Sequence, residues 1–197
     1  SGFVWSWTKT LLHFERKGTD ILTSFAQNSN VTMCRNMTLR GMDIFGEELL
    51  ANHDYDYMMW LDSDTVFKPE HIEMLLEADK DIISGLVPID WMNNLAVGDF
   101  LLNGALDMLN YNDIPDGESE PFQVRYAGFA FLLVKRGVFE KLGYPYFIQT
   151  VADVNNKKIM YGEDIIWCMR VQELGYTIWA HPQVVLGHEK TLGLKVT

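Results

Sequence analysis

Apolar residues at Phe3, Val4, Trp7, Leu11, Leu12 and Phe14 recur at helical spacing, so an amphipathic helix is expected over 3–16, stopped at Gly18. Ile21 to Phe25 reads as a short strand. A second helical pattern runs from about Val31 to Leu50, with a break expected near Gly41 or Gly46. Residues 57–61, Tyr-Met-Met-Trp-Leu, form an apolar strand that runs into Asp62-Ser63-Asp64. Lys68-Pro69-Glu70 opens a helix, with proline in the first turn and Glu70 where the helix dipole favours an acid; Ile72, Leu75 and Leu76 face the core. Asp81 to Val87 is a further strand, closed by Pro88. This alternation over the first 90 residues predicts an α/β fold with a mainly parallel central sheet flanked by helices.

The pattern changes after Pro88. Residues 89–121 lack clean periodicity and cluster Asn, Asp, Gly and Pro, which reads as a binding loop or lid. Order resumes with strands over Phe122–Tyr126 and Phe129–Lys135 and a short helix at Gly137–Leu142. Residues 144–158 are polar and turn-rich. A strong helix follows over Glu163–Leu174, stopped at Gly175, and strands are expected at Tyr176–Ala180 and Val184–Leu186. No repeat or linker interrupts the chain, so a single domain over 1–197 is expected. A nucleotide-binding α/β sheet ordinarily begins with a strand whose end touches the ligand. Here a helix comes first, and an N-terminal strand is expected to be missing from this sequence.

Composition narrows the function classes. The 197 residues are 48% hydrophobic and 13% aromatic, with a formal net charge of −11. Such acidity disfavours nucleic acid, which demands clustered Lys and Arg. It equally disfavours an anionic membrane surface unless a local basic patch acts there. No stretch reaches the roughly 18 apolar residues of a membrane span. With no signal-peptide pattern, a cytoplasmic protein is expected. Cys34 and Cys168 have no metal-site or disulfide-framework spacing and read as small buried thiols, one disulfide between them remaining open. The sequons at Asn30 and Asn36 read as chance matches.

Candidate chemistry sits in three separated stretches. An apolar strand ending in Asp62-Ser63-Asp64 delivers two carboxylates to the carboxyl edge of an α/β sheet, where such folds bind ligands. Mutual repulsion of these acids invites a divalent cation between them and something anionic. The plainer alternative is a polar turn in which Asp62 or Asp64 caps the next helix. Gly162-Glu163-Asp164 starts an amphipathic helix, where acids also serve as favourable first-turn charges. Gly187-His188-Glu189-Lys190 follows an apolar strand, where His188 can equally be an ordinary histidine.

In order and context these stretches resemble the GT-A class of nucleotide-sugar-dependent glycosyltransferases. The ordered set comprises Arg35-Asn36, the strand into D-x-D, Lys80-Asp-Ile-Ile-Ser-Gly85, Gly128 to Arg136, the Gly-Glu-Asp helix and the terminal Gly-His. The chain looks most like the compact transferases of bacteria, phages and large viruses, which implies a Rossmann-like sheet with a smaller antiparallel acceptor-side element. The resemblance implies a Mn²⁺ or Mg²⁺ cofactor at Asp64, with Asp62 on the donor ribose or a metal-bound water and His188 completing the metal site. Imidazole ligation tilts the choice toward Mn²⁺. Ser63, Arg35 and Lys190 become candidates for the nucleotide, a UDP- or GDP-sugar, a salt-bridged Arg35 and a solvated Lys190 being the alternatives. Asp164, with Glu163 in reserve, falls where inverting members keep a base for a carbohydrate or other hydroxyl acceptor. Trp91, Gly128 and Trp167 are the acceptor-side candidates, packing being the alternative for Trp167. Residues 89–121 and 144–160 are the expected acceptor-side loops, and a virus- or phage-encoded origin fits the same resemblance.

Three rivals remain. Leu61-Asp62-Ser-Asp64-Thr65-Val66 also fits the loop of haloacid-dehalogenase-like phosphatases, with Asp62 as nucleophile and Asp64 as general acid. Nucleotidyltransferases share the metal and diphosphate logic, though their Gly-rich basic loop is not visible here. A catalytically inert sugar- or nucleotide-binding module is the third.

Overall fold

A computed structural model describes residues 1–40, 53–115 and 117–189 of the chain. The opening helix α1 (Gly2–Arg16) is capped by Ser1, whose Oγ accepts from the Val4 amide at 3.4 Å. Helix α2 (Val31–Arg40) starts at Asn30, whose Oδ1 accepts from Met33 N at 3.0 Å. That contact gives Asn30 a structural task independent of any sequon. The expected strand at 21–25 does not form. Ile21, Leu22 and Phe25 are exposed at 40%, 64% and 67%, and among the described residues the segment pairs with no strand. The second half of the predicted 31–50 helix lies outside the described residues.

Strands β1 (Tyr57–Leu61) and β2 (Thr65–Val66) flank the D-x-D turn, and α3 (Pro69–Glu77) follows. Next come β3 (Ile82–Leu86), β4 (Asn94–Phe100), β5 (Leu106–Asn110), β6 (Phe122–Val124), β7 (Tyr126–Ala127) and β8 (Phe131–Lys135). Helix α4 (Val138–Leu142) leads to β9 (Thr150–Val154) and β10 (Lys157–Tyr161). Helix α5 (Glu163–Glu173), β11 (Ile178–Val185) and β12 (Gly187–His188) complete the order.

The central sheet has the order β1-β8-β3-β11-β6. β8 pairs antiparallel with both β1 and β3, and β3 pairs parallel with β11, so β1, β3 and β11 all point the same way. The α/β class is as expected; the added detail is that β8 enters between β1 and β3 against their direction. The two expected strands at 176–180 and 184–186 are one strand, β11, whose register shifts between Ala180 and Val185. Such an irregularity at His181-Pro182 breaks the apolar pattern without ending the strand.

Both faces of the sheet are covered. Successive side chains on β8 alternate between two cores, as the pleat requires. Leu132 and Val134 pack with Trp60, Phe129, Phe139 and Trp167 beneath α2, α4 and α5. Phe131 and Leu133 pack with Phe14, Phe67, Ile72 and Leu75 beneath α1 and α3.

The segment expected to be an irregular lid supplies β4 and β5 of a separate antiparallel sheet in the order β5-β4-β7, with β7 coming from beyond it. Its β4–β5 pairing is close. A Cβ added to Gly98 would lie 2.1 Å from the Asp107 carbonyl oxygen, so glycine is required there. Most of the segment 144–158, expected to be polar and turn-rich, falls in a hairpin: β9 and β10 pair over 150–161.

Candidate active site

The three co-directed strands end at one place. β1 delivers Asp62 and Asp64, β3 runs into Pro88, and β11 leads to His188. Ligands of open α/β sheets gather at the carboxyl ends of the strands. The D-x-D residues form a tight turn closed by the Thr65 amide donating to the Asp62 carbonyl at 3.1 Å. The Asp62 amide donates to Ala130 O at 3.1 Å, which fixes the turn against the start of β8. Neither acid caps the next helix, which begins at Pro69. Both side chains are half-exposed, at 47% for Asp62 and 50% for Asp64, and Ser63 is exposed.

β12 folds back onto β2, pairing His188 with Thr65, and the Glu189 amide donates to Asp64 O at 2.7 Å. This two-strand ribbon brings the His188 imidazole to Asp64, with Nε2 at 3.0 Å from Oδ2. On the other side of the ring, Nδ1 lies 2.8 Å from the Pro88 carbonyl oxygen. A carbonyl can only accept, so Nδ1 carries the hydrogen and donates. Nε2 then meets a carboxylate either as the second donor of an imidazolium or as a lone pair. In the second case two electron pairs converge, which is what a cation ligated by both requires.

Opposite this pair lies a second acidic group. Glu163 and Asp164 occupy the first turn of α5, where the helix dipole favours negative charge. Glu163 is buried and ion-paired: Arg35 Nη1 lies 2.5 Å from its Oε1, and Gln149 Nε2 donates to Oε2 at 3.4 Å. Arg35 is also buried, 3.7 Å from Asp62 through Nη2, with its guanidinium 4.9 Å from the Phe129 ring centre. The adjacent Asn36 clasps the Phe147 backbone, donating to its oxygen at 2.8 Å and accepting from its amide at 3.2 Å. Arg35-Asn36 thus fastens α2 to the acidic centre. Asn36 is committed to that contact.

Asp164 is partly buried, and its Oδ1 accepts from the Ile165 amide at 2.8 Å. Burial pushes its carboxyl above the usual carboxylate range, with the Glu163 charge adding to the rise; the Ile165 amide and Arg35 oppose it. Asp62 is raised in the same direction, first by burial and then by Asp64 and Glu163, while Arg35 and His188 pull it down. Four carboxylates therefore share one neighbourhood with Arg35 and His188.

The remaining sequence candidates are placed as follows. Trp91 is 82% exposed, in the turn between Pro88 and β4. Gly128 donates its amide to Ala96 O at 2.7 Å, and a Cβ there would lie 3.2 Å from the Ala96 Cβ. Trp167 is fully buried against Phe129 and Phe139, so it is a core residue with no face left for a sugar. Glu163 is likewise occupied by Arg35, and Arg35 is a clamp between carboxylates rather than an outward-facing cation. Lys190 lies outside the described residues. Cys34 and Cys168 are free thiols, Cys168 being fully buried. Sequence reasoning missed Gln149 and the Pro88 carbonyl. Gln149 lies in a segment without periodicity, and a backbone oxygen carries no residue-type signal.

Among the described residues, no three His, Cys, Asp or Glu side chains converge to hold an ion unaided. The donor set of Asp64 and His188 fits a different type of site. Mg²⁺ and similar ions are commonly held by one or two protein ligands, with phosphate oxygens and water supplying the rest. Nor is any helix among the described residues long and apolar enough to cross a membrane.

No protein-family model and no curated protein matches the sequence. Solved structures do match. The crystal structure of A197 from STIV aligns over 87% of this chain and 82% of its own, with 17% identity and a TM-score of 0.49. The crystal structure of GalNAc-T7 with UDP, GalNAc and Mn²⁺ aligns over 84% of this chain with 13% identity and a TM-score of 0.53. This chain spans only 31% of GalNAc-T7. At such identity the likeness to GalNAc-T7 shows the fold alone: the chain has a GT-A-like α/β fold, with a central sheet, flanking helices and separate antiparallel sheets.

Proposed function

We propose that this protein is a divalent-metal-dependent glycosyltransferase that moves a sugar from a nucleoside-diphosphate donor to a hydroxyl acceptor. The observation that carries the reading is the convergence of Asp64 and His188 Nε2 at 3.0 Å, with Nδ1 donating to Pro88. A ring hydrogen bond to a backbone carbonyl is the usual support of a metal-ligating histidine, fixing its tautomer and orientation. GalNAc-T7, which shares the fold, was crystallised with UDP and Mn²⁺.

Asp64 and His188 would hold Mn²⁺ or Mg²⁺, and the bound ion would neutralise charge on the departing diphosphate as a Lewis acid. Asp62, half-exposed at the end of β1, is the candidate contact for the donor ribose or an ion-bound water. Asp164 is the candidate base. Its burial keeps it more basic than an ordinary carboxylate, which suits a group that takes a proton from a hydroxyl. Glu163 and Arg35 have a positioning role, since their charges neutralise each other inside the protein. Trp91, exposed in the turn that follows Pro88, is a candidate platform for the acceptor, beside Gly128 and the β4–β5 sheet.

The phosphatase reading asks Asp62 to attack and Asp64 to donate a proton. A His188 ring facing Asp64, and strands of the sheet that end jointly in acids and imidazole, favour the metal-diphosphate reading. Calorimetric titration with UDP and GDP, with and without Mn²⁺, tests it. Metal-dependent binding is expected for the wild type and is lost in Asp64→Ala, whose half-exposed side chain leaves the fold intact. Metal-independent binding, or full binding by the variant, overturns the assignment. Phosphate release from p-nitrophenyl phosphate instead supports the phosphatase.

A further inference from the structure

We propose that the outward face of α1 docks onto an anionic lipid bilayer. Trp5, Lys9, Leu12 and Arg16 follow one another at spacings of four, three and four residues, so they form one stripe along the helix. The opposite face holds the buried Ser6, Thr10 and Phe14. Trp5 is 64% exposed, Leu12 47%, and the adjoining Val4 60%. The Lys9 ammonium lies 4.7 Å from the Trp5 ring centre. Lys9, Arg16 and Lys68 line an open groove of about 580 Å³ between α1 and the Val66–Glu70 segment.

Charge argues for the occupant. In a chain of formal charge −11, this groove gathers, among the described residues, three fixed cations and His13 against a single carboxylate, Glu70. Glu73 on the adjoining α3 is already engaged by His13 and Lys17. Glu15 is the acid on α1 itself. The apolar face of α1 is spent on the protein core, so only its outer stripe meets the bilayer, with tryptophan and leucine supplying apolar area and lysine and arginine the charge. Indole rings settle at headgroup level, and basic side chains beside them are drawn to anionic lipid. The helix is fastened to the ribbon that carries Asp64 and His188. The Gly2 amide donates to Glu189 Oε1 at 2.7 Å, and Ser6 Oγ accepts from Phe67 N at 3.0 Å. Docking of α1 would therefore bring that ribbon beside the same surface.

Co-sedimentation of the full chain with vesicles of phosphatidylcholine mixed with phosphatidylglycerol, against pure phosphatidylcholine, tests the proposal. Binding is expected only to the anionic vesicles and weakens as salt is raised. Each basic residue near such a surface is worth about fivefold in partition, so Lys9→Glu with Arg16→Glu lowers binding by roughly 20-fold or more. Trp5→Ala lowers it further. These side chains are exposed, so thermal melts of the variants match the wild type. Quenching of wild-type tryptophan fluorescence by brominated lipid adds a measurement that needs no variant. Equal binding to both vesicle types, binding that survives charge reversal, or absence of quenching overturns the proposal. So does a wild-type dimer that becomes monomeric in the same variants, because a second copy then covers the face. The assay needs no nucleotide, metal or turnover, so its failure leaves the sugar-transfer reading standing.

Discussion

Replacing Arg35 with methionine tests how the acidic centre is held together. The guanidinium is buried, 2.5 Å from Glu163 and 3.7 Å from Asp62, and lies over the Phe129 ring. Methionine retains most of the hydrocarbon volume, so packing against Phe129 changes little. Glu163 loses its counter-charge and keeps only the Gln149 amide at 3.4 Å. Removing one partner of a buried pair costs about 3–5 kcal/mol, and the lost cation over the ring adds roughly 0.5–2 kcal/mol. Total stabilities of about 5–15 kcal/mol leave limited reserve against such a loss. The two losses together, about 3.5–7 kcal/mol at about 2–4 °C per kcal/mol for a chain of this size, predict that Arg35→Met lowers Tm by roughly 7–28 °C.

Urea denaturation followed by circular dichroism, applied to Arg35→Met, Glu163→Gln and the double variant, isolates the pair. Glu163→Gln removes the stranded anion, so the double variant should recover much of the loss. Coupling within about 0.5 kcal/mol of zero would refute the clamp. The pH dependence gives an independent sign. Arg35 pulls Asp62 and Asp164 down against the burial that raises them, so without it both carboxyls move further up. An acid whose folded pKa lies above its unfolded value takes up its proton first in the native state. Stability is then lost as pH rises from the unfolded carboxylate range toward the folded one. Arg35→Met should therefore gain more stability on acidification than the wild type.

Asp164→Asn removes a carboxylate whose ionisation burial opposes, so Tm at neutral pH should rise and its acid-side pH dependence should flatten. The same variant should keep metal-dependent UDP binding and lose transfer to acceptor; retained transfer removes Asp164 from the role of base. Trp167→Ala should cost about 3–5 kcal/mol by leaving a cavity beside Phe129 and Phe139. Trp167→Phe should cost much less, because among the described residues the buried indole Nε1 has no hydrogen-bond partner that the change would forfeit. A large effect of Trp167→Phe on acceptor KM with unchanged stability would instead return this residue to the sugar site.

How much of this was legible in the sequence depended on burial. β1, β3 and β8 were found because their side chains are apolar on both faces, and the turns that end them are polar. The helices α1 and α3 were found because each buries one stripe, and α5 because its apolar run from Ile165 to Cys168 is closed by Gly175. The β4–β5 sheet and the β9–β10 hairpin were missed for the opposite reason. β5 is exposed along most of its length, and β9 and β10 bury little beyond Tyr161, so neither alternation nor a continuous apolar run marks them. The strand expected at 21–25 failed through composition without context: β-branched and aromatic residues are present, but among the described residues no strand edge receives them.

The candidate site was legible for a related reason. An acid placed directly after a buried apolar strand has little structural use, so Asp62, Asp64 and His188 stand out from the strands that precede them. Partner choice is a different matter. Arg35 reads either as a nucleotide contact or as a salt-bridged side chain; its partner, Glu163, lies 128 residues away in sequence, and the pair meets only in space. Whether a charged side chain is offered to a ligand or consumed inside the protein depends on which helix ends face each other, and residue spacing holds no record of that. The tertiary structure therefore divides the acids by environment. Glu163, sealed by Arg35 and Gln149, gives the centre its rigidity, and the half-exposed Asp62 and Asp64 keep oxygens open to solvent. That division lets one neighbourhood concentrate four carboxylates and still leave Asp62 and Asp64 open, as the proposed cation at Asp64 and His188 requires.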